Sequence, residues 1–226
     1  MNNFTQNRTK RLTALAMLVS MAFMVGATFR LRGAFAAAPF LTYDPKDVVI
    51  LLGGFMFGPL SALLMSVVVA LLEMATVSIS GLIGALMNAI SSASFTCTAA
   101  FVYSKKRNLQ GAIIGLVLGC IAVVITMSLW NLAIIPLYVP HATFEGTASL
   151  ILPVIIPFNA IKAALNAAIA LLIYKKVSSA LNAAGLYKEA LTESPEKRLN
   201  ITVMVVSAII AVALVAALFI IRGNTP

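Results

Sequence analysis

Several polar side chains lie inside segments that are otherwise apolar enough to be embedded in a membrane. Lys162 occupies an alanine-rich stretch, with Asn159 three positions before it and Asn166 four positions after it. This spacing places all three on one face of a helix. Polar groups are costly in hydrocarbon, and they commonly mark the path of a ligand or an ion. We therefore predict that this face binds a small molecule with a polar edge.

Three further polar residues, Glu73, Asn88 and Asn131, fall in other apolar segments. Counting helical rise from the predicted helix ends places them, with Lys162, in the outer half of the membrane. The group therefore predicts a cavity that opens to the outside. Two alternatives stay open: Lys162 pairs with Glu73, as buried ions usually must, or the asparagines join helices to one another.

A polar segment, Leu41–Asp47, separates two hydrophobic stretches. Asp44 and Pro45 are typical of a helix start, with Asp44 as the cap and Pro45 at the first helical position. Such a loop end at the mouth of a cavity could offer backbone amides and Thr42 to a ligand, and Tyr43 could stack on it. We expect both the local and the ligand-binding role.

The elements that carry these residues are membrane helices. Of the 226 residues, 61% are hydrophobic and only 10% are charged. A soluble core does not need that much apolar surface in so short a chain. The sequence predicts an all-α, multi-pass protein of the prokaryotic cell membrane, whose first apolar run is a retained helix. Cys97 and Cys120 are expected to pack as small hydrophobes, and no metal site is predicted.

Each spanning helix requires about 20 apolar residues. The stretch Val48–Val77 would be about 45 Å long as one helix, so we predict two helices divided at Gly58-Pro59. The other predicted spans are Leu12–Phe29, Leu82–Tyr103, Leu109–Trp130 with a possible extension to Leu137, Leu152–Tyr174 and Leu199–Ile221.

The charges set the predicted orientation. With Val48–Val77 divided, 11 of the 16 lysines and arginines fall on the cytoplasmic side, as does the N-terminus. The organisation predicted is a six-helix substrate-binding membrane domain (1–176), a cytoplasmic linker (177–198) and an extra, seventh transmembrane helix at the C-terminus (199–226).

The chain resembles the S components of energy-coupling factor (ECF) vitamin transporters, specifically the riboflavin-binding ones. The resemblance covers about Lys10–Lys176. It rests on the segments FLTYDPKD (Phe40–Asp47), GGFMFGPL (Gly53–Leu60), ISGLIGALMNAISS (Ile79–Ser92), Trp130-Asn131 and Asn159–Lys162. The extra helix after residue 198 departs from the usual pattern of this family.

The resemblance implies a six-helix fold, riboflavin bound in an outward pocket under the loop between the first two helices, and no cofactor of the protein's own. The implied partners are a transmembrane coupling protein and two ABC-type ATPases. Riboflavin is neutral with a large apolar ring, which suits an apolar pocket with a few fixed polar groups. The predicted ligand-binding residues are Leu41, Thr42, Tyr43, Asp44, Gly81, Gly84, Asn88, Asn131, Asn159 and Lys162, with Glu73 as an ion-pair or pocket residue.

Energy for transport is expected from the partners, because the chain has no Walker-type phosphate-binding loop. Small residues recur along the first helix, including Ala14, Ala16-xxx-Ser20 and Ala22-xxx-Gly26, and such spacing lets another helix approach closely. Internal packing explains the pattern equally well. The resemblance favours a docking face for the coupling protein at Ala14, Ala16 and Ser20.

Three other functions are compatible with parts of this pattern. An S component for another vitamin or small heterocycle would share every topological feature. A stand-alone secondary transporter would favour several membrane carboxylates, and only Glu73 qualifies. An enzyme is disfavoured because no acid–base or nucleophilic constellation is visible, and the single histidine, His141, falls in a predicted outer loop.

Overall fold

The structure, a computed structural model, describes residues 3–32, 42–77, 81–138 and 143–183. These residues are almost entirely helical. The helices are α1 (Asn3–Thr28), α2 (Lys46–Phe57), α3 (Pro59–Thr76), α4 (Gly81–Lys105), α5 (Leu109–Tyr138), α6 (Phe144–Leu150) and α7 (Ile156–Ala183), and a π-helical turn at Ile151–Ile155 joins the last two. Two short antiparallel strands, β1 (Leu31–Arg32) and β2 (Thr42–Tyr43), pair between α1 and α2.

The predicted break at Gly58-Pro59 is confirmed. Gly58 has a φ of 93°, a conformation that a residue with a side chain rarely adopts, and Pro59 begins α3. The Arg11 guanidinium on α1 donates to the Phe57 carbonyl at 3.1 Å and to the Ser61 hydroxyl at 3.2 Å. The arginine therefore satisfies a carbonyl at the end of α2 and holds α1 against the break.

Within the residues that the structure describes, five helical segments are long and apolar enough to cross a membrane: Thr9–Thr28, Pro59–Thr76, Gly81–Lys105, Leu109–Pro136 and Phe144–Ile173. The predicted extension of the fifth helix beyond Trp130 is confirmed, since α5 continues to Tyr138. The predicted start at Leu152 is too late. Thr143 caps α6 by accepting a hydrogen bond from the Gly146 amide, so the helix begins at Phe144.

The helix α2 lies at the centre of the bundle. Its 12 residues span about 18 Å and ten of them are buried, because α1, α3, α4 and α7 surround it. Its residues contribute to two core clusters, one shared with α4, α5 and α7 and the other with α1, α3 and α4. A helix that is buried on all sides can hold polar groups only if other elements supply their partners.

A close seam joins α4 to α5. A Cβ added to Gly115 would lie 2.6 Å from the Ala99 carbonyl oxygen, and one added to Gly119 would lie 2.7 Å from that of Phe95. Glycine at these two positions lets the helix backbones touch, as small-xxx-small spacing does in membrane bundles.

The organisation beyond α7 stays a prediction. The helix continues through Ala183, past the predicted boundary at residue 176. The remainder of the linker, the seventh helix Leu199–Ile221 and His141 lie outside the described residues.

Candidate functional site

Six charged side chains meet at the end of the bundle where α1 and α3 end and where α2 and α4 begin. Three are carboxylates and three are cations, so their formal charges cancel. Five are almost fully buried, and the Arg30 side chain is 11% exposed. The members are Arg30, Asp44, Lys46, Asp47, Glu73 and Lys162. We refer to these six residues as the charge cluster.

Lys162 enters the charge cluster from α7. Its ammonium lies 3.7 Å from an Asp44 oxygen and 3.8 Å from an Asp47 oxygen. Both distances allow strong attraction in a buried setting but exceed hydrogen-bond length. The lysine is therefore held electrostatically between two carboxylates, while its N–H donors remain suited to a third partner.

Lys46 and Glu73 form the second half of the charge cluster. The Lys46 ammonium contacts the Glu73 carboxylate directly and lies 3.7 Å from Asp44. The other Glu73 oxygen lies 3.0 Å from the Arg30 guanidinium. A Cβ on Gly26 of α1 would come within 2.9 Å of Glu73. Gly26 therefore makes room for this ion pair against α1.

A polar chain connects Asp47 to the strand pair. Asp47 accepts hydrogen bonds from the Ser92 hydroxyl and, at 3.3 Å, from the Asn166 side-chain amide. The Asn166 carbonyl in turn accepts a hydrogen bond from the Tyr43 hydroxyl at 3.1 Å. This series of hydrogen bonds joins β2, α2, α4 and α7. Each buried polar group in it has a partner, as burial requires.

Two residues outside the spanning helices have shifted acidities. Burial and the nearby Asp44 raise the pKa of Tyr43, so its hydroxyl stays protonated and can donate to Asn166. Burial alone would raise the pKa of Asp44. The positive charges of Lys162, Lys46 and Arg30 outweigh it, and the pKa of Asp44 is lowered from its usual value. Asp44 is therefore ionised at neutral pH.

The predicted asparagines fall at three places. Asn88 donates to Glu73 at 3.4 Å and so borders the charge cluster. The Asn131 and Asn159 amides donate to carbonyls four residues earlier along the chain, those of Met127 and Ile155. The carbonyl oxygen of Asn131 is buried without a hydrogen-bond partner, and so is the indole N–H of the adjacent Trp130. Such atoms are costly unless a ligand or water satisfies them.

Two interpretations of the sequence are wrong. Glu73 does not pair with Lys162, because Lys46 and Arg30 occupy its carboxylate. Asp44 does not cap α2, since no side chain caps that helix and Pro45 directly precedes its first residue, Lys46. The carboxylate turns inward to the two lysines instead. The predicted common face of α7 is confirmed: Asn159, Lys162 and Asn166 are all buried.

Other predicted ligand contacts lie apart from these side chains. Gly81 begins α4 with a φ of 57°, is exposed and has open space where a Cβ would be. Gly84 is partly exposed on the same helix, and Thr42 is half-buried in β2. Leu41 lies outside the described residues. Their roles as ligand contacts stay predictions.

Sequence reasoning missed four members of this site. The residue pattern gives Arg30, Lys46, Asp47 and Ser92 no ligand-binding or ion-pair role. The signal was present in part, because Lys46 and Asp47 belong to the FLTYDPKD segment and open a helix that is apolar throughout. Only the position of α2 inside the bundle reveals that their side chains are buried.

The small residues of α1 divide between two faces. Ala22 and Gly26 are buried against the bundle, so this pair serves internal packing. Ala16 and Ser20 are exposed, and Ala14 is partly exposed. The exposed positions remain open to a partner helix.

Comparison with known proteins places these features in a family. A family model described as "ECF transporter, substrate-specific component" matches residues 10–174. A Staphylococcus aureus (strain TCH60) protein, riboflavin transporter RibU, is 33% identical over 184 residues, which cover 79% of this chain and 95% of that protein. The riboflavin transporter FmnP of Bacillus subtilis (strain 168) is 27% identical over 179 residues, covering 75% and 93%.

A solved structure with a similar fold is an S component as well. The S component of a bacterial ECF transporter matches this fold with a TM-score of 0.66 at 32% sequence identity. The match covers 77% of this chain and 98% of that one.

Proposed function

Because this chain belongs to the substrate-specific components of ECF transporters, we propose that its substrate is riboflavin, captured from outside the cell. The observation that carries this proposal is the pair of similar proteins that are named riboflavin transporters, at 33% and 27% identity over most of their lengths. A multi-pass membrane protein of this family binds substrate itself and relies on an ECF module for transport. The proposed module comprises a transmembrane coupling protein and two ABC-type ATPases.

The proposed ligand contacts combine a cation with amides. Lys162 can donate to a carbonyl oxygen on the edge of the flavin ring, because its paired carboxylates lie beyond hydrogen-bond length. Asn131 offers a buried, unpaired carbonyl oxygen that can accept from a ring N–H. Asn159 and Asn88 supply further amides.

The ligand is proposed to be covered by Tyr43, Thr42 and the loop through Leu41. Gly81 and Gly84 are proposed to line it from α4.

The proposed arrangement in the membrane has the N-terminus in the cytoplasm. The charge cluster then lies on the outer side, and the two lysines and one arginine at 105–107 lie inside, as the preference of basic residues for the cytoplasmic side favours. Six helices form the substrate-binding bundle, and the segment 199–226 adds a seventh. Ala14, Ala16 and Ser20 are proposed to meet the coupling protein.

A competition experiment tests the choice of substrate. The purified protein is mixed with riboflavin, whose fluorescence is quenched on binding, and unlabelled thiamine, biotin or folate is added in excess. The proposal predicts quenching that none of the other vitamins reverses. Absence of quenching, together with tight binding of another heterocycle, would assign the chain to a different substrate in the same family.

A further inference from the structure

We propose that Glu73 is a positioning residue for the ligand: it fixes the Lys162 ammonium through Lys46 and Asp44, without touching the ligand itself. The inference rests on the proposed function, since it assumes that Lys162 contacts riboflavin. It adds a role for a carboxylate that pairs with Lys46 and Arg30 and forms no ion pair with Lys162.

The charges alternate along a chain of contacts that begins at α7. Lys162 pairs with Asp44, Asp44 with Lys46, and Lys46 with Glu73. Arg30 closes the chain by pairing with the second oxygen of Glu73. This series of ion pairs runs from α7 through the start of α2 to α3 and the end of α1. Neighbouring charges along it are close enough to influence one another strongly.

Asp44 is the shared member. Its carboxylate lies 3.7 Å from both lysines, so the two ammonium groups compete for it. Glu73 decides this competition because it contacts Lys46 directly. With Lys46 drawn to Glu73, Asp44 stays available to Lys162.

Loss of the Glu73 charge would change this balance. Lys46 is 1% exposed and would keep a buried charge, so its ammonium would turn to the nearest remaining carboxylate, Asp44. Asp47 could not fully replace Asp44 for Lys162, because Ser92 and Asn166 already donate to it. The Lys162 ammonium would then move from the place where the ligand meets it.

A double-mutant cycle tests the inference. Riboflavin affinity is measured by fluorescence quenching for the full chain and for Glu73→Gln, Lys162→Met and the double variant. We expect Glu73→Gln to weaken binding about tenfold in the parent and less than about twofold in the Lys162→Met background, because coupled residues are not additive. Glu73→Asp keeps the charge and should recover part of the loss. Glu145→Gln removes an exposed carboxylate outside the charge cluster and should change nothing.

The outcomes separate this inference from the proposed function. Equal loss from Glu73→Gln in both backgrounds, or no loss at all, would overturn the positioning role while leaving riboflavin binding intact. A parent chain that does not bind riboflavin would overturn both. Should Glu73→Gln fail to fold, the same cycle with Glu73→Asp decides by the same criterion, with a smaller expected loss.

Discussion

The Tyr43 hydroxyl donates a hydrogen bond to the Asn166 side chain across 3.1 Å, joining the strand pair to α7. Asn166 passes the connection to Asp47, one of the two carboxylates beside Lys162. The segment that precedes α2 is therefore tied to the same groups that hold the candidate ligand-binding lysine. Its conformation and the state of the site should depend on each other.

Removing this hydrogen bond should weaken ligand binding modestly. Tyr43→Phe keeps the ring but loses one neutral hydrogen bond of about 0.5–1.5 kcal/mol, which corresponds to a two- to tenfold loss of riboflavin affinity. Titration by fluorescence quenching measures the riboflavin affinity. Unchanged affinity for Tyr43→Phe, with a loss for Tyr43→Leu, would mean that only the ring matters.

Lys162 should affect ligand binding by at least about tenfold. Lys162→Met keeps most of the stem and removes the ammonium, so riboflavin affinity should fall by about 10- to 150-fold, as expected for a charge-assisted hydrogen bond worth about 1.5–3 kcal/mol. The variant also leaves Asp44 and Asp47 without their shared cation. A melting curve without ligand separates the two effects, and an unchanged affinity per folded molecule would contradict the assignment.

Asn131 and Asn159 should orient the ligand. Leucine at either position would leave polar groups of the ligand unpaired in an apolar setting, at a cost of about 1–3 kcal/mol, or about five- to 150-fold in affinity. Titration of each variant with riboflavin measures its affinity. If both variants bind as the parent does, neither asparagine contacts the ligand, although the transport function would stand.

The exposed small residues of α1 should serve transport and not binding. Ala16→Trp would block a partner helix but lies away from the charge cluster, so the purified variant should bind riboflavin while cells that depend on it fail to accumulate the vitamin. Ala168→Trp places the same side chain at an exposed alanine of α7 and serves as the control. Normal uptake by Ala16→Trp would exclude this face as the docking site.

The seam between α4 and α5 should tolerate no side chain. Gly115→Leu would bring a Cβ within 2.6 Å of a backbone oxygen. Overpacking of this kind should lower the free energy of unfolding by at least about 1–3 kcal/mol. Thermal unfolding in detergent measures the loss. Val117→Leu, at an exposed position on the same helix, is the matched control and should unfold as the parent does. Equal stability of both variants would contradict the close contact.

The sequence predicted what hydrophobic length and helix breakers determine. Gly58 and Pro59 divided α2 from α3 because one residue favours a positive φ and the other lacks an amide hydrogen. The common face of Asn159, Lys162 and Asn166 followed from helical spacing alone. Which cation meets which carboxylate did not follow, because Glu73 and Lys46 meet only when α2 lies between α1, α3 and α7. Ion pairs between distant segments depend on that packing and not on local pattern.

The visible absorption spectrum of the purified full-length protein tests the central claim most directly. The protein is produced in cells that contain riboflavin, and Lys162→Met is prepared in parallel at the same yield of folded material. We predict that the parent is yellow and carries the bands of oxidised flavin in a one-to-one ratio, and that Lys162→Met has lost most of this colour. A colourless parent that also fails to bind added riboflavin would contradict the account.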